Sequence, residues 1–548
     1  MAISKKLRQR NNENAAKYFA SAFCGFIALF IIFHWTRLLY KRCGLSKKRT
    51  GGVLKLPVAF TRLSRQLLTR KVPGFPSAGH NLVFLGYIVT NLCITFTEID
   101  WTNLVGLSKR LGWVTVSNLS LVMFLSLKNT PLAFMTAYSY EHLQPLHQIA
   151  GYTTIATWFM HAMIYITAWD YSHTLHEMLE KDQIMGIIGG ISLLLLLLTT
   201  LLRKWHYELF HIVHSLLAVL ILIMAGLHRP NLVQKSSYAI IFCGAIWGLD
   251  RLIRTVKLSI YGVGNKATLT PLPHGGTKIV LKKAPKGAKA GKHIWLHLPC
   301  IRKIELHPFT IVSTDPLELV VAAQDGFTRD LHDHAVKNPG VEISASVDGP
   351  YGSVLDFYGL DKVVFIAGGS GGSYTAGVAV DLLRVLGDDE GTVVEFVWVV
   401  RHTEMLAWFS PHLAELSSSP RVNMRIHVTH HSYSPSSPSI SGPDEISSTP
   451  PEYMQDPEKD LPSPSSPQSM HDPEKILPSL TRELHTLDGR PNIPALVRNT
   501  VVDAEKGDRL AVVACGPGGM MLDVRKAVAD NLRAEGPSLE LWSEHFGW

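Results

Sequence analysis

Apolar residues crowd the first 260 positions of the chain and then thin into short alternating runs. A hydrocarbon core is crossed by roughly 20 apolar residues in a helix. Seven stretches meet that length, near 18–38, 82–100, 113–133, 143–168, 184–202, 207–228 and 238–258. Residues 262–355 instead alternate apolar and polar positions with many Gly and Pro, as in "TKIVLKKA" and "KHIWLHLP", the pattern of short barrel strands. From "DKVVFIAGGSGG" onward, apolar strands alternate with helical periods, which predicts a parallel doubly wound sheet. A Pro/Ser-rich stretch over 432–479, with "DPEKDLPS" imperfectly repeated as "DPEKILPS", interrupts that sheet; it cannot bury a core and is expected to be disordered.

The expected architecture is a multidomain membrane protein. Residues 1–79 form an N-terminal span and a basic cytosolic loop, and 80–260 an α-helical transmembrane bundle, giving about seven spans in all. Residues 261–357 form a β-barrel domain, and 358–548 an α/β doubly wound domain carrying the insertion.

Charge fixes the orientation. The net charge of +8 invites a nucleic-acid reading, but the basic residues cluster beside apolar spans, as orientation signals do. The densest group runs from Lys41 and Arg42 through Lys47, Lys48 and Arg49 to Arg62, Arg65, Arg70 and Lys71. The positive-inside rule puts that loop in the cytosol and the N-terminus outside. Arg203, Arg251, Arg254 and Lys257 then also fall inside, and everything after about residue 258 is cytosolic. Lys5, Lys6, Arg8 and Arg10 ahead of the first span resemble a signal peptide, but the apolar run is long and no small-residue cleavage site follows. Cys24, Cys43, Cys93, Cys243, Cys300 and Cys515 lack metal-ligand spacing and form no disulfide framework.

The fourth stretch, "EHLQPLHQIAGYTTIATWFMHAMIYITAW", holds His147 and His161, and the sixth, "YELFHIVHSLLAVLILIMAGLH", holds His214 and His228. Ionisable groups inside a membrane ask for a functional reason. Both pairs are fourteen residues apart, roughly 21 Å along a helix and within ~40° of one face. The two spans run in the same direction, so His147 lies level with His214 and His161 with His228. Two imidazoles per level are too few for tetrahedral zinc. They suit haem iron, whose porphyrin supplies the other four ligands, and two axial histidines favour electron transfer over oxygen binding. Helix–helix hydrogen bonds are the alternative for any one of these histidines, less so for two matched pairs. His34, His142, His206 and His211 have no partner at that interval.

The cytosolic half carries "HPFTI" at 307–311, "AAQDGFTRDL" and "VDGPYG". Together they predict a flavin site, because a hydroxyl and Gly-flanked backbone amides bind a pyrophosphate. "FIAGGSGGSYTAG" is an apolar strand running into a Gly-rich turn and a helix, the setting of a dinucleotide loop. Gly369 and Gly371 fit G-x-G-x-x-G, but Tyr374 stands in the third position. After the next strand comes Arg401 rather than an acid, which favours the 2′-phosphate of NADP over the ribose of NAD. "LAVVACGPGGM" ends in Cys515, where a sheet's carboxyl edge meets the nicotinamide.

On these motifs the chain resembles fungal ferric/cupric reductases, of the superfamily that includes the NADPH oxidases. The likeness covers about residues 80–548 apart from the insertion, and rests on "HPFTI", "DGPYG", "GGSGG", "GRP" at 489–491, "CGPGG" and the final "FGW" in that order. It implies a six-helix ferric reductase core holding two haem b groups. By the resemblance, His307, Pro308, Phe309, Thr310, Gly349 and Gly352 contact FAD, with Thr328 helping to hold its phosphates. Gly368, Gly369, Ser370, Gly371, Gly372, Arg401, Arg490, Cys515, Gly516, Pro517 and Gly518 would contact NADPH. Phe546 and Trp548 would cover the flavin. Electrons would pass from cytosolic NADPH through FAD to an inner haem on His147 and His214, then to an outer haem on His161 and His228.

The acceptor expected outside is a ferric or cupric chelate, in support of iron or copper uptake, at the plasma membrane or an endomembrane such as the vacuole. A rival is an NADPH oxidase making superoxide, although in those relatives the second histidine pair is typically one residue closer. A seven-span transporter or receptor with a soluble tail is the rival from another class. Oligomeric state and uptake partners are not legible, and no nucleic-acid partner is expected.

Overall fold

The computed structural model describes residues 4–42, 77–99, 103–136, 138–203, 205–228, 235–387, 391–430, 486–532 and 536–544, with a few single positions between 64 and 101. The Pro/Ser-rich insertion, most of the basic loop, and Phe546 and Trp548 lie outside the described residues.

Among the described residues, seven long helices occupy the seven apolar stretches: α1 (Lys5–Arg42), α2 (Ala78–Phe96), α3 (Leu104–Leu125), α4 (Tyr140–Tyr171), α5 (Lys181–Leu202), α6 (Tyr207–His228) and α7 (Lys235–Ile260). Ser77 and Asn103 cap α2 and α3, their side-chain oxygens accepting from the amides of His80 and Gly106. Among the described residues, four helical segments are long and apolar enough to cross a membrane: Lys6–Leu39, Ala78–Phe96, Lys181–Leu202 and Tyr207–His228. The other three carry more polar residues, and many of these face other helices. Ser108, Arg110 and Asn118 on α3, Thr154 and Thr157 on α4, and Asp250 on α7 are all buried.

The third stretch was expected at 113–133, whereas α3 runs Leu104–Leu125. It ends early because Ser126 closes it, its amide bonding to the carbonyls of Val122 and Met123. The following Lys128–Pro131 segment is a turn, fixed where Asn129 donates its backbone and side-chain N–H groups to Asp250 Oδ1 at 2.8 and 2.9 Å.

Within the bundle α3 packs along α4, and α5 along α6. The α1 helix lies against α2 and α3, where Arg110 Nε donates to Asn12 Oδ1 at 2.7 Å. Lys235 at the start of α7 pairs with Glu13. At the other end of α1, Arg37 pairs with Glu540 of the last strand at 2.5 Å, so this helix end lies against the C-terminal domain.

The first soluble domain is built of short strands in two hydrogen-bonded sheets. The larger is ordered β5-β6-β2-β1-β7 and the smaller β4-β3-β8, with β1 Lys266–Leu272, β2 Gly276–Leu281, β3 His293–His297, β4 His307–Thr310, β5 Ser313–Thr314, β6 Leu317–Ala322, β7 Glu342–Ser344 and β8 Ser346–Tyr351. Both line one core that includes Leu269, Ile279, Ile294, Leu296 and Val347, closed by helix α8 (Phe327–Lys337) through Phe327 and Leu331.

The second soluble domain is a six-stranded sheet ordered β12-β11-β10-β9-β13-β14, every neighbouring pair parallel. Its strands are β9 Lys362–Gly368, β10 Val393–Val400, β11 Val422–Val428, β12 Thr486–Asp488, β13 Arg509–Cys515 and β14 Ser538–Glu544. Helices α9 (Gly372–Leu386) and α10 (Ser410–Ser418) cover one face, α11 (Ile493–Val502) and α12 (Gly518–Asn531) the other. Strands buried on both faces read as continuous apolar runs, as in "KVVFIAG" and "RLAVVAC". The core beneath α9 and α10 extends into the first soluble domain through Val312 and Val320, so the two soluble domains pack against each other.

Candidate functional site

The four histidines sit on α4 and α6, and three of them are oriented by backbone carbonyls. The Nδ1 of His147 donates to Val122 O at 3.1 Å, that of His161 to Ser108 O at 2.7 Å, and that of His228 to Asp182 O at 2.7 Å. A carbonyl can only accept, so each bond places the proton on Nδ1 and the lone pair on Nε2. A metal-ligating histidine is commonly held this way. The two α3 carbonyls are themselves fourteen residues apart, matching the interval on α4.

His147 and His214 face one another across the gap between α4 and α6, ring centroids 6.5 Å apart. The Nδ1 of His214 is buried without a hydrogen-bond partner, and Phe210 lies against its ring at 5.1 Å. The outer pair is seated in glycine notches on two other helices. A Cβ on Gly112 of α3 would come within 3.1 Å of the His161 ring, and one on Gly186 of α5 within 2.6 Å of His228. Two facing imidazoles at one level, and two backbone-oriented imidazoles further along the same helices, fit axial ligation of haem iron.

The flavin motifs meet on β3. Strand β4 pairs with it on one side, Pro308 opposite Trp295 and Thr310 opposite His293, and β8 on the other, Asp348 opposite Trp295. "HPFT" and "DGPYG" are thereby two strands apart in space although forty residues apart in sequence. Gly349 (φ +149°) and Gly352 (φ +89°) have backbone angles that L side chains rarely adopt, and a Cβ on Gly349 would press within 3.3 Å of the His293 carbonyl. The His307 ring stacks on Phe327 at 4.1 Å, which brings the N-terminus of α8 and Thr328 beside the motif. Thr328 Oγ1 accepts from the Gln324 amide at 2.9 Å. A concave backbone beside a helix N-terminus fits a pyrophosphate. Burial, partly countered by Glu208, lowers the pKa of His307 to about 4, so its ring is neutral at pH 7.

The nucleotide residues gather along the carboxyl edge of the six-stranded sheet, where ligands of such folds bind. Strand order reverses between β9 and β13, and there the two Gly-rich turns touch. A Cβ on Gly371 would lie 2.1 Å from Cys515 O, and one on Gly368 2.7 Å from Pro517. Gly369 (φ +54°), Ser370, Gly371 and Gly372 lead from β9 into α9, and Gly516, Pro517 and Gly518 from β13 into α12. Arg401 follows β10 and Arg490 follows β12, both exposed on the same edge. Tyr374, at the third motif position, is buried. The close approach is made one helical turn later by Gly377, where a Cβ would meet Val312 O at 2.3 Å.

Several residues here carried no sequence signal. Glu544 is the register partner of Cys515. Burial and the nearby Glu141 raise its pKa to about 8, and burial with Glu544 pushes the Cys515 thiol up. At the seam with the membrane helices, Trp295 Nε1 donates to Tyr140 Oη at 3.2 Å, and Lys128 Nζ lies 2.9 Å from the Trp295 ring centroid. Arg254 of α7 pairs with the fully buried Asp348 at 2.6 Å, and Tyr351 donates to the same carboxylate at 2.6 Å. His293 Nε2 stands 2.9 Å from Glu141 at the start of α4. This seam joins the flavin-motif strands to the helix that carries His147.

Comparison with known families agrees with this order of parts. Residues 111–225 match the ferric reductase like transmembrane component, 262–355 an FAD-binding domain, and 360–529 the ferric reductase NAD binding domain. Among curated relatives, the probable cell surface ferric reductase kap2 of Aspergillus oryzae is 28% identical over 380 residues, covering 62% of this chain and 50% of that protein. Ferric/cupric reductase transmembrane component 2 of Schizosaccharomyces pombe is 25% identical over 61% of this chain and 67% of its own length. Ferric reductase transmembrane component 3 of Saccharomyces cerevisiae is 23% identical over 96% of this chain and 76% of its own. The chain thus spans half the length of the Aspergillus relative it matches. A solved ferredoxin NADP+ reductase from Neisseria gonorrhoeae aligns at 15% identity and a TM-score of 0.31, over 51% of this chain and 97% of that one. In order along its length, the chain thus carries a ferric reductase like transmembrane component, an FAD-binding domain and a ferric reductase NAD binding domain.

Proposed function

We propose that this chain is a transmembrane metalloreductase, carrying electrons from cytosolic NADPH to ferric or cupric chelates on the far side of the membrane in support of metal uptake. The observation that carries the reading is the matched pair of carbonyls on α3, Ser108 and Val122, which orient His161 and His147 at two levels of one helix. When bound, FAD converts the two-electron hydride of NADPH into the single electrons that haem iron conducts.

The residues divide the work accordingly. Arg401 and Arg490 neutralise the nucleotide phosphates at the sheet edge, and Gly368 to Gly372 with Gly516 to Gly518 let the backbone come close to them. Cys515 borders the nicotinamide, and Phe546 and Trp548 are assigned to the flavin face by resemblance alone. His307 to Thr310, Thr328, Gly349 and Gly352 hold the flavin. His147 with His214 ligates the inner haem, and His161 with His228 the outer one. The plasma membrane is the proposed location, after the cell surface relative.

The experiment supplies NADPH to the cytosolic face of vesicles and measures ferric and oxygen reduction side by side. His161→Ala is expected to abolish external ferric reduction while NADPH still reduces the flavin. External reduction that survives in His161→Ala, or a purified protein lacking a low-spin haem spectrum, would overturn the reading, and oxygen as the faster acceptor would replace metalloreduction with superoxide production.

A further inference from the structure

A second cluster of metal-ligating side chains lies far from the membrane, where the two soluble domains touch. His274 stands in the tight turn between β1 and β2, and His402 and Glu404 directly follow Arg401 at the end of β10. One donor atom from each of the three lies within 4.8 Å of the others. His274 Nε2 is 3.3 Å from Glu404 Oε2, and the His274 and His402 rings stack with centroids 4.2 Å apart and planes 8° from parallel. Stacked rings aim their lone pairs in parallel, so a shared ion requires one imidazole to turn out of the stack. His402 Nδ1, buried with no hydrogen-bond partner, has no bond to lose in that turn.

The surroundings hold the cluster in place. His274 has a left-handed backbone, φ +54°, which a residue with a Cβ adopts only under local constraint. That constraint comes from Trp408, whose Nε1 donates to Pro273 O at 2.8 Å. A Cβ on Gly276 would strike the same indole at 2.6 Å, so the turn is seated directly on the 403–409 segment. His430 backs the His402 ring at 5.9 Å, and its amide donates to Arg401 O at 2.8 Å. Two imidazoles and a carboxylate, supported from behind and open to solvent on one side, make a three-ligand set with room for a water as fourth. A similar cluster of Glu208, Glu305 and His307 includes the first residue of the flavin motif.

We propose that His274, His402 and Glu404 bind a divalent first-row transition ion, bridging the FAD-side turn to the loop that follows Arg401. Imidazole with carboxylate suits Zn²⁺ and its neighbours in the series. Zinc is the cleaner probe because it has no redox chemistry and cannot serve as an electron acceptor. The inference concerns the cytosolic face and stands whether the acceptor outside is iron, copper or oxygen.

The test uses purified full-length protein with flavin and haem bound, stripped with a chelator and titrated with ZnCl2 against a chromophoric competitor, without nucleotide. His402→Gln and the double variant His274→Gln/Glu404→Gln are compared with wild type, and unchanged flavin and haem spectra certify their fold. Each variant is expected to bind one zinc equivalent fewer, or to bind that equivalent at least tenfold more weakly. Co²⁺ substitution should give visible d–d bands in wild type that both variants lose. Equal stoichiometry and affinity in all three proteins, or no zinc bound by wild type, overturns the proposal.

Discussion

Cys515 and Glu544 face each other as register partners at the carboxyl ends of two neighbouring parallel strands, a buried thiol beside a half-buried carboxyl. With its pKa raised to about 8, Glu544 is protonated at neutral pH, and the folded chain holds a proton there that the unfolded chain releases above the usual carboxylate range. The stability this adds is fully present below about pH 4.5 and is lost as pH rises through 8. Glu544→Gln is expected to remove a slope of roughly 1.4 kcal/mol per pH unit across that window. Denaturant melts of wild type and variant at several pH values measure it.

Cys515 should be chemically quiet for the same reason. Alkylation depends on the thiolate, and burial holds this thiol protonated. Iodoacetamide at pH 7.5 is expected to label the exposed Cys300 of the soluble half and to spare Cys515, as peptide mass mapping would record.

Gly186→Ala tests how the outer histidine is seated. The added methyl would stand 2.6 Å from the His228 ring, so the imidazole must leave the orientation set by Asp182 O. Disturbing the support of a metal ligand typically costs about 10–100-fold in affinity or activity. External ferric reduction should fall by that order, with flavin reduction by NADPH unchanged. Equal rates in both assays would show that His228 needs no such notch.

Arg401→Ala addresses nucleotide choice. A charge-assisted hydrogen bond contributes about 1.5–3 kcal/mol, or roughly 10–100-fold. The KM for NADPH is expected to rise by that factor and the KM for NADH to change little, in steady-state flavin reduction.

Asp348→Ala should loosen the flavin-side domain from the membrane helices. Its carboxylate is fully buried and serves both Arg254 and Tyr351. Removing one partner of a buried pair costs about 3–5 kcal/mol. A lower melting temperature in detergent, with Arg254→Ala no worse when added to Asp348→Ala, would establish the pair as one unit.

The helical stretches and the three-part order were legible because burial writes itself into apolar period and length. The end of α3 was misplaced because "SLKNTPL" looks apolar enough to continue, while Asp250, more than a hundred residues away, turns Asn129 aside. The incomplete glycine motif was legible only in part. Gly369 and Gly371 do the local work, but the third close approach falls to Gly377, against a carbonyl of another domain that no local pattern encodes. Glu544 had no signal at all, since one acid at the end of a strand reads as solvated until the fold half-buries it opposite Cys515. The carbonyls that orient the histidines belong to the backbone, and residue identity does not record them.

Those carbonyls make α3 a ruler. Between Ser108 and Val122 the helix keeps two acceptors in step with His161 and His147, and each added or deleted residue would turn everything beyond it by about 100°. One acceptor would then face away from its imidazole while the other stayed in place. Side chains along α3 can vary as packing allows, but its length between these two points cannot. The segment least tolerant of insertion or deletion is therefore one that contributes no ligand of its own.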